Sequence, residues 1–223
     1  MNFWRVEQKI WSGQTAYIVG GGPSLLSQNL ELLRGQNIIV INSSYLRFLD
    51  AAFCVFSDTR WFLEHRVPQP GRELSLKDFK GKIVSCSTAA TGPPMLWRMH
   101  RKNLPGLAED PSYLMVRNTT LTAAQNLAVH LGVVKMVLLG IDQKVGEDGR
   151  SHHHAPHKWR PTPDCYKRQQ VDLPSIAEGL RKLGIECVNA SPGSALTIWP
   201  LVNLEDHVAP VNDIGADTIA RVA

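Results

Sequence analysis

The chain has 223 residues, of which 43% are hydrophobic and 20% charged, as expected for one α/β domain that buries an ordinary core. Its net charge of +4 is mild, whereas nucleic-acid-binding proteins usually carry a concentrated basic stripe, so nucleic acid is not an expected partner. No apolar run reaches the length of a membrane span, and the first residues lack the apolar core of a signal peptide.

The cysteines indicate a reducing compartment. All four are far apart and form no CxxC pair. Three of them, Cys54, Cys86 and Cys187, lie in apolar, strand-like runs, where we expect reduced thiols in the core. These features favour a cytoplasmic protein without a membrane partner.

Residues 15–26 carry the most informative pattern, because they predict a buried strand, a glycine turn and the start of a helix. Three glycines after the apolar run 16–19 permit a tight turn and a close approach of a ligand to the backbone. A helix that begins here directs its first N–H groups and the positive end of its dipole at an anion. We therefore expect a phosphate or carboxylate to bind at Gly20, Gly21, Gly22, Pro23 and Ser24.

This turn matches neither of two familiar phosphate-binding motifs. No Gly-Lys-Ser/Thr follows it, as a P-loop requires, and Leu25 stands where the dinucleotide-binding fingerprint has its third glycine. A sharp strand-to-helix turn that binds nothing is therefore the alternative interpretation.

Strand-like and helix-like patterns alternate along the rest of the chain. Apolar runs predict strands at 37–42, 52–58, 82–87, 113–116, 135–142 and 185–189. Helices are predicted at 24–34, 59–66, 120–131 and 167–183, the third capped by Thr120 or Thr122 and ended by Gly132. Residues 88–111 predict an irregular segment, and residues 143–166 a long polar loop rich in His and Pro.

This alternation predicts an α/β fold, a Rossmann-like three-layer domain in which helices cover both faces of a mostly parallel sheet. We expect the domain to span residues 15–205, with an N-terminal arm (1–14) packed on it and a polar C-terminal tail (206–223). The His-rich part of the 143–166 loop follows a core strand, so we expect it to fold over the sheet edge as a lid.

Polar side chains follow several predicted strands at their carboxyl ends, where ligands bind to parallel sheets. The carboxylates among them can hold Mg²⁺ bound to phosphates, or can hydrogen-bond a sugar or a base. Capping of a turn or a helix is the alternative for each. The side chains that we expect to contact a nucleotide at this edge are Asn42, Ser43, Asp58 and Asp142.

Residues 151–160, with the sequence Ser-His-His-His-Ala-Pro-His-Lys-Trp-Arg, hold four of the eight histidines. A histidine at the sheet edge can act as a general acid or base. Lys158 and Arg160 are suited to neutralise a diphosphate. The candidate catalytic residues are His152, His153, His154 and His157.

Two other interpretations of this segment stay open. His153 and His157 have i, i+4 spacing with Cys165 nearby, which suggests a zinc site, although Pro156 disfavours the helix that would align them. A solvated loop with incidental histidines is the second. The other four histidines are isolated along the chain, and we expect surface or packing positions for His65, His100, His130 and His207.

Three segments resemble one superfamily: residues 20–25, residues 41–43, and the 122–132 helix that leads into 137–142. The superfamily contains the archaeal-type hydroxymethylpterin diphosphokinases, the flagellin-modifying motility accessory factors and the bacterial sialyltransferases that use CMP-sialic acid. The chain looks closest to small phage and prophage proteins of that group, which have a similar His-rich loop. The resemblance covers residues 15–205 and implies the host cytoplasm if a phage encodes the protein.

The resemblance implies roles for individual residues. Gly20 to Ser24 would line the nucleotide phosphate and ribose, Asn42 would match the sialyltransferase asparagine that contacts the nucleotide, and one loop histidine, which the resemblance does not choose, would match the catalytic base. The chain departs from the sialyltransferases at Asp58, where they have an asparagine. It also lacks their Ser/Thr-Gly pair, and only Tyr166 is near the place of their two phosphate-stabilising tyrosines.

Three hypotheses about function follow. The first is a transferase that uses a nucleotide-activated donor, with a loop histidine as base and no required metal. The second is a diphosphokinase of the hydroxymethylpterin type, with Mg²⁺ at Asp58 and Asp142. The third is a non-catalytic nucleotide-binding module whose His loop meets a protein partner. The expected ligand is a nucleotide or nucleotide-sugar, and the oligomeric state, including a homo-oligomer, stays open.

Overall fold

The computed structural model describes residues 3–87, 89–154 and 162–208. Its strands are β1 (Thr15–Val19), β2 (Ile38–Ile41), β3 (Phe53–Phe56), β4 (Lys82–Ser85), β5 (Trp97–Arg98), β6 (His100–Lys102), β7 (Tyr113–Met115), β8 (Lys135–Leu139) and β9 (Glu186–Asn189). Seven of them form one all-parallel sheet in the order β5-β4-β3-β2-β1-β8-β9. The other two, β6 and β7, pair in parallel beside it.

Helices cover both faces of this sheet, and the α-helices are α1 (Thr59–His65), α2 (Thr120–Leu131), α3 (Pro163–Gln170) and α4 (Leu173–Lys182). Side chains alternate along each strand, so that Ile18 and Val55 pack in one core with α2 and α4, while Tyr17 and Phe56 pack in a second core with α1. The predicted α/β fold, a Rossmann-like three-layer domain, is confirmed. Within the described stretches every helix is too short or too polar to cross a membrane.

The order of the strands identifies where a ligand is expected. The chain runs outward from β1 through β2, β3, β4 and β5, and then returns to place β8 and β9 on the other side of β1. Val19 at the end of β1 therefore lies beside Leu139 at the end of β8. In parallel α/β sheets such a reversal opens a crevice outside the carboxyl ends of the two strands.

The predicted helix over residues 24–34 is wrong. Two short 3-10 helices, Pro23–Ser27 and Leu30–Leu33, occupy this stretch. Between them Gln28 is extended (φ −98°, ψ 145°), and its side-chain amide donates to the carbonyl oxygen of Ala190 over 2.6 Å. This tether holds the chain out of a continuous helix, so the glycine turn leads into a five-residue 3-10 helix.

The predicted helix over residues 167–183 is two helices, α3 and α4. The break follows from Pro174, which has no N–H to donate and is tolerated only in the first turn of a helix, where it lies in α4. The residues predicted to be irregular, 88–111, contribute the two short strands β5 and β6. Both are too short to give a periodic pattern in the sequence.

The α2 helix matches its prediction in extent, with a different cap. Thr119, rather than Thr120 or Thr122, is the N-cap, and its hydroxyl accepts from the N–H of Leu121 over 3.3 Å. Gly132 ends the helix in the left-handed conformation (φ 89°), as predicted.

The N-terminal arm packs on the domain through its tryptophans. Trp11 has no exposed surface and meets Phe53 edge to face, with 5.3 Å between ring centroids. Trp4 packs against Trp97 in the same way at 5.4 Å, and Lys82 Nζ lies 3.8 Å from the Trp97 ring centroid. The arm therefore belongs to the hydrophobic core that positions the sheet.

We expect Trp11→Ala to lower the free energy of unfolding by about 3–5 kcal/mol, because it removes a fully buried indole and leaves a cavity. Urea denaturation followed by circular dichroism measures this loss. Met95→Ala, at a side chain 72% exposed, is the control and is expected to change stability by less than about 0.5 kcal/mol. Equal effects of the two substitutions would contradict the buried position of Trp11.

Candidate functional site

A cleft of about 350 Å³ opens at the carboxyl ends of β1, β2, β3 and β8. It lies at the strand-order reversal, where the topology predicts a ligand. Its walls are the glycine turn, the residues that follow β2, β3 and β8, the start of α2, part of the His-rich segment and one side of α3. We call it the switch-point cleft.

Most of the amides of the glycine turn are already used, contrary to what its sequence predicts, and of the three glycines only Gly21 has no acceptor for its N–H among the described residues. Gly20 N–H donates to the Leu139 carbonyl over 2.7 Å, and Gly22 N–H donates to the Gly140 carbonyl over 2.8 Å. Ser24 donates to the Asp142 carboxylate twice, from its N–H over 2.8 Å and from its hydroxyl over 2.6 Å. The protein's own carboxylate thus takes the place that the sequence assigns to a bound anion.

Two glycines of this turn are required by packing. A Cβ on Gly20 would lie 2.3 Å from Ile141 Cδ1, and one on Gly22 would lie 2.3 Å from Asp142 Oδ1. Gly21 is different, since its nearest neighbour would be His152 Cδ2 at 3.3 Å. The turn therefore packs tightly against the end of β8 and faces the cleft through Gly21.

Asp142 is a structural carboxylate as well as a cleft residue. It is 5% exposed, and burial raises the pKa of its carboxyl group, an effect that the two hydrogen bonds from Ser24 and the charge of Lys144 oppose. Both of its oxygens accept a hydrogen bond, so its capacity to hold Mg²⁺ is partly used.

The structure separates the three described histidines of the His-rich segment. His152 and His154 line the cleft, their rings stack with 4.9 Å between centroids, and both lie beside Gly21. His152 Nδ1 is 2.9 Å from the hydroxyl oxygen of Ser151. These two imidazoles are placed to reach a ligand in the cleft.

His153 points into the fold and anchors the segment. Its N–H donates to the Gly21 carbonyl over 3.0 Å, and its Nε2 lies 3.3 Å from the hydroxyl oxygen of Ser44, whose own proton goes to Gly20. Burial lowers the pKa of His153 to about 3, assisted by the nearby His154, Arg47 and His152. This histidine therefore stays neutral at physiological pH.

Three predicted site residues, His157, Lys158 and Arg160, lie outside the described residues, as does Pro156. The zinc interpretation depends on His157 and is for that reason a prediction only. Across residues 3–87, 89–154 and 162–208, no group of three or more His, Cys, Asp or Glu side chains could hold a metal ion.

Buried polar atoms without a partner mark the floor of the cleft. Among the described residues, Asn42 Oδ1, Gln143 Oε1 and Tyr166 Oη are buried and accept or donate no hydrogen bond, and all three residues line the cleft. Asn42 and Gln143 also have positive φ, 50° and 53°. Such strain and unsatisfied polarity concentrate at binding sites. The sequence indicates Asn42, whereas Gln143 carries no signal beyond its place after Asp142.

Charged side chains border the cleft on two sides. Asp58 caps α1, since its Oδ1 accepts from the N–H of Arg60 over 2.8 Å. Arg117 is bound to the buried carboxylate of Asp172, and Lys144 is exposed at the rim. Of these two cations, Lys144 forms no close ion pair with a described carboxylate, although its charge acts on Asp142.

Behind the cleft wall, His65 is neither isolated nor exposed. It is 5% exposed, with Nε2 3.2 Å from Ser43 Oγ and Nδ1 3.1 Å from Tyr45 Oη. Ser43, a predicted site residue, lines the cleft. Sequence reasoning missed this link because the partners of His65 are about twenty residues away in the chain.

We expect Gly22→Ala to destabilise the protein by about 1–3 kcal/mol, because the new Cβ would overlap the Asp142 carboxylate. Gly21→Ala is the matched control, since its Cβ would meet the edges of two imidazoles, at 3.3 Å and 3.8 Å, and no backbone atom, and it should be close to the parent in stability. Urea denaturation of both variants checks this. A Gly21→Ala variant that is the less stable of the two would contradict the packing described.

We expect His153 to make stability pH-dependent. Its folded pKa of about 3 is below the ordinary 6.5, so the unfolded chain binds more protons between these values. Stability is complete above pH 6.5 and falls as the pH drops towards 3, by about 2–3 kcal/mol between pH 7 and 4.5. His153→Gln should lack this part of the dependence. The free energy of unfolding, measured by urea denaturation at several pH values, checks this, and equal pH dependences in the parent and the variant would contradict the role of His153.

Comparison with known proteins leaves the site to be judged on its geometry. No family model matches the chain, and neither the curated proteins nor the solved structures provide a significant match. The superfamily resemblance stated above therefore stays a prediction from short motifs.

Proposed function

We propose that this protein is a transferase that binds a nucleotide-activated donor in the switch-point cleft and transfers the activated group to an acceptor hydroxyl. The observation that carries the proposal is the position of the His152 and His154 imidazoles beside Gly21, within a cleft of about 350 Å³. That volume is in the range of small-molecule sites. Asn42 and Gln143 add unpaired amide oxygens that a sugar hydroxyl or an exocyclic amine of a base can satisfy.

In the proposed reaction, the neutral imidazole of His152 or His154 takes the proton of the acceptor hydroxyl. The acceptor oxygen forms a bond to the donor carbon, and the bond from that carbon to the phosphate oxygen breaks. The nucleotide leaves with the electron pair as an anion. Lys144 is the rim cation suited to stabilise it, and Lys158 and Arg160, from outside the described residues, remain predicted partners.

The diphosphokinase is the second candidate, favoured by two carboxylates, Asp58 and Asp142, on the same cleft. It requires both to bind Mg²⁺. Both oxygens of Asp142 already accept from Ser24, and Asp58 caps α1, so metal binding would compete with two structural roles. This competition makes the metal-independent transferase the better-supported proposal.

We expect a nucleotide to raise the melting temperature without Mg²⁺, since a ligand that binds the native state stabilises it. Differential scanning fluorimetry with CMP, UDP, GDP and ATP, each with and without Mg²⁺, identifies the nucleotide that binds.

With the matching nucleotide-sugar as donor, His152→Asn or His154→Asn should lower nucleotide release at least about 100-fold while binding is retained. His100→Asn is the control, because His100 stacks on Phe3 and Tyr113 and does not line the cleft.

The outcomes separate the three hypotheses. Full activity in both cleft-histidine variants would reject the transferase mechanism. Transfer from ATP that EDTA abolishes would instead support the diphosphokinase. Binding of a nucleotide with no turnover of any donor would support a non-catalytic nucleotide-binding module.

A further inference from the structure

A chain of hydrogen bonds, half-buried at its first member and buried at the others, runs from an arginine to the cleft wall. Arg72 Nη1 lies 3.1 Å from Tyr45 Oη, Tyr45 Oη lies 3.1 Å from His65 Nδ1, and His65 Nε2 lies 3.2 Å from Ser43 Oγ. Trp61 Nε1 donates to the same Ser43 oxygen over 2.9 Å. Because Ser43 lines the cleft, this chain connects a guanidinium group with the ligand space.

Arg72 is held firmly in place. Besides Tyr45, its guanidinium donates to the carbonyl oxygens of Leu74 over 2.7 Å and Val67 over 3.2 Å, and to that of Glu64. No carboxylate pairs with it among the described residues. Its charge therefore acts on Tyr45 without a neutralising partner.

The donors and acceptors that these side chains carry determine the direction of each hydrogen bond. An arginine can only donate, so Tyr45 Oη accepts from Arg72. Tyr45 keeps its proton, because burial raises its pKa to about 12, and among the described residues His65 Nδ1 is the acceptor within reach of that proton. Since Nδ1 accepts, the imidazole is neutral with its hydrogen on Nε2, which donates to Ser43.

Ser43 Oγ then accepts two hydrogen bonds, one from His65 and one from Trp61. Both of its lone pairs are occupied, and its own hydrogen has no acceptor in either neighbour. Such a hydroxyl is a poor nucleophile. Ser43 is 1% exposed and lines the cleft, and no acceptor for this hydrogen is found among the described residues, so the hydroxyl is free to donate to a ligand.

We propose that Ser43 is a fixed hydrogen-bond donor to an anionic phosphate oxygen of the ligand, and that Arg72, Tyr45 and His65 are positioning residues that orient it. The choice of phosphate rests on the proposed function. It agrees with the glycine turn, where Leu139, Gly140 and Asp142 already accept from three N–H groups, so that a phosphate beside Gly21 needs further donors from outside the turn. The hydrogen bonds run in one direction, from Arg72 through Tyr45 and His65 to Ser43, and they polarise one another along this relay.

The first test determines the direction of these hydrogen bonds in the protein without a ligand. Long-range ¹H–¹⁵N NMR of the labelled protein at neutral pH reports which imidazole nitrogen carries the hydrogen, and His65→Gln assigns the signal. In the parent we expect the His65 imidazole to carry its hydrogen on Nε2. In Tyr45→Phe we expect it to be no longer held in this one tautomer. Tyr17→Phe, which removes another buried hydroxyl of the same core, should leave the signal unchanged. A His65 that carries its hydrogen on Nδ1, or on both nitrogens, would overturn the relay.

The second test uses CMP and inorganic pyrophosphate as separate probes in calorimetric titrations. We expect Ser43→Ala to weaken binding about tenfold or more, Tyr45→Phe to weaken it less, and Tyr17→Phe to leave it unchanged. Parent-like binding by Ser43→Ala would overturn the role of Ser43 and leave the proposed function intact. Failure of the parent to bind either probe would overturn the phosphate assignment together with the proposed function, while the NMR result would still decide the relay.

Discussion

The contact between Ser24 and the Asp142 carboxylate is the constraint on which the rest of the site depends. It joins the turn after β1 to the end of β8, two segments separated by 118 positions in the chain. It brings Gly22 so close to the carboxylate that no side chain fits between them. The walls of the cleft, including Gly21 and the imidazoles above it, are fixed relative to this junction.

Much of the fold was predictable because parallel strands buried on both faces give apolar runs that local sequence reveals. Asn42 and Asp142 could also be predicted as residues of the cleft, because they stand at the ends of such apolar runs. That the Asp142 carboxylate accepts from Ser24 was not predictable, because Asp142 follows a strand that is distant in the sequence. The helix over 24–34 failed for a similar reason, since Gln28 is held by Ala190 from the far end of the chain.

The His-rich segment shows how far residue type alone can be interpreted. In the run of bends at residues 151–154, His152 and His154 line the cleft, while His153 between them is buried beside Ser44. Composition could not distinguish them. Likewise, His65 gave no signal in the sequence, although its two ring nitrogens connect Tyr45 with Ser43.

The anchoring of His153 has a consequence for how a substrate gains access. Its main chain is bound to Gly21 and its ring is adjacent to Ser44, so swinging residues 151–154 outward would break both attachments and expose a neutral imidazole. These two attachments therefore oppose an opening of the cleft at residues 151–154, and we expect a substrate to enter and a product to leave with this wall in place.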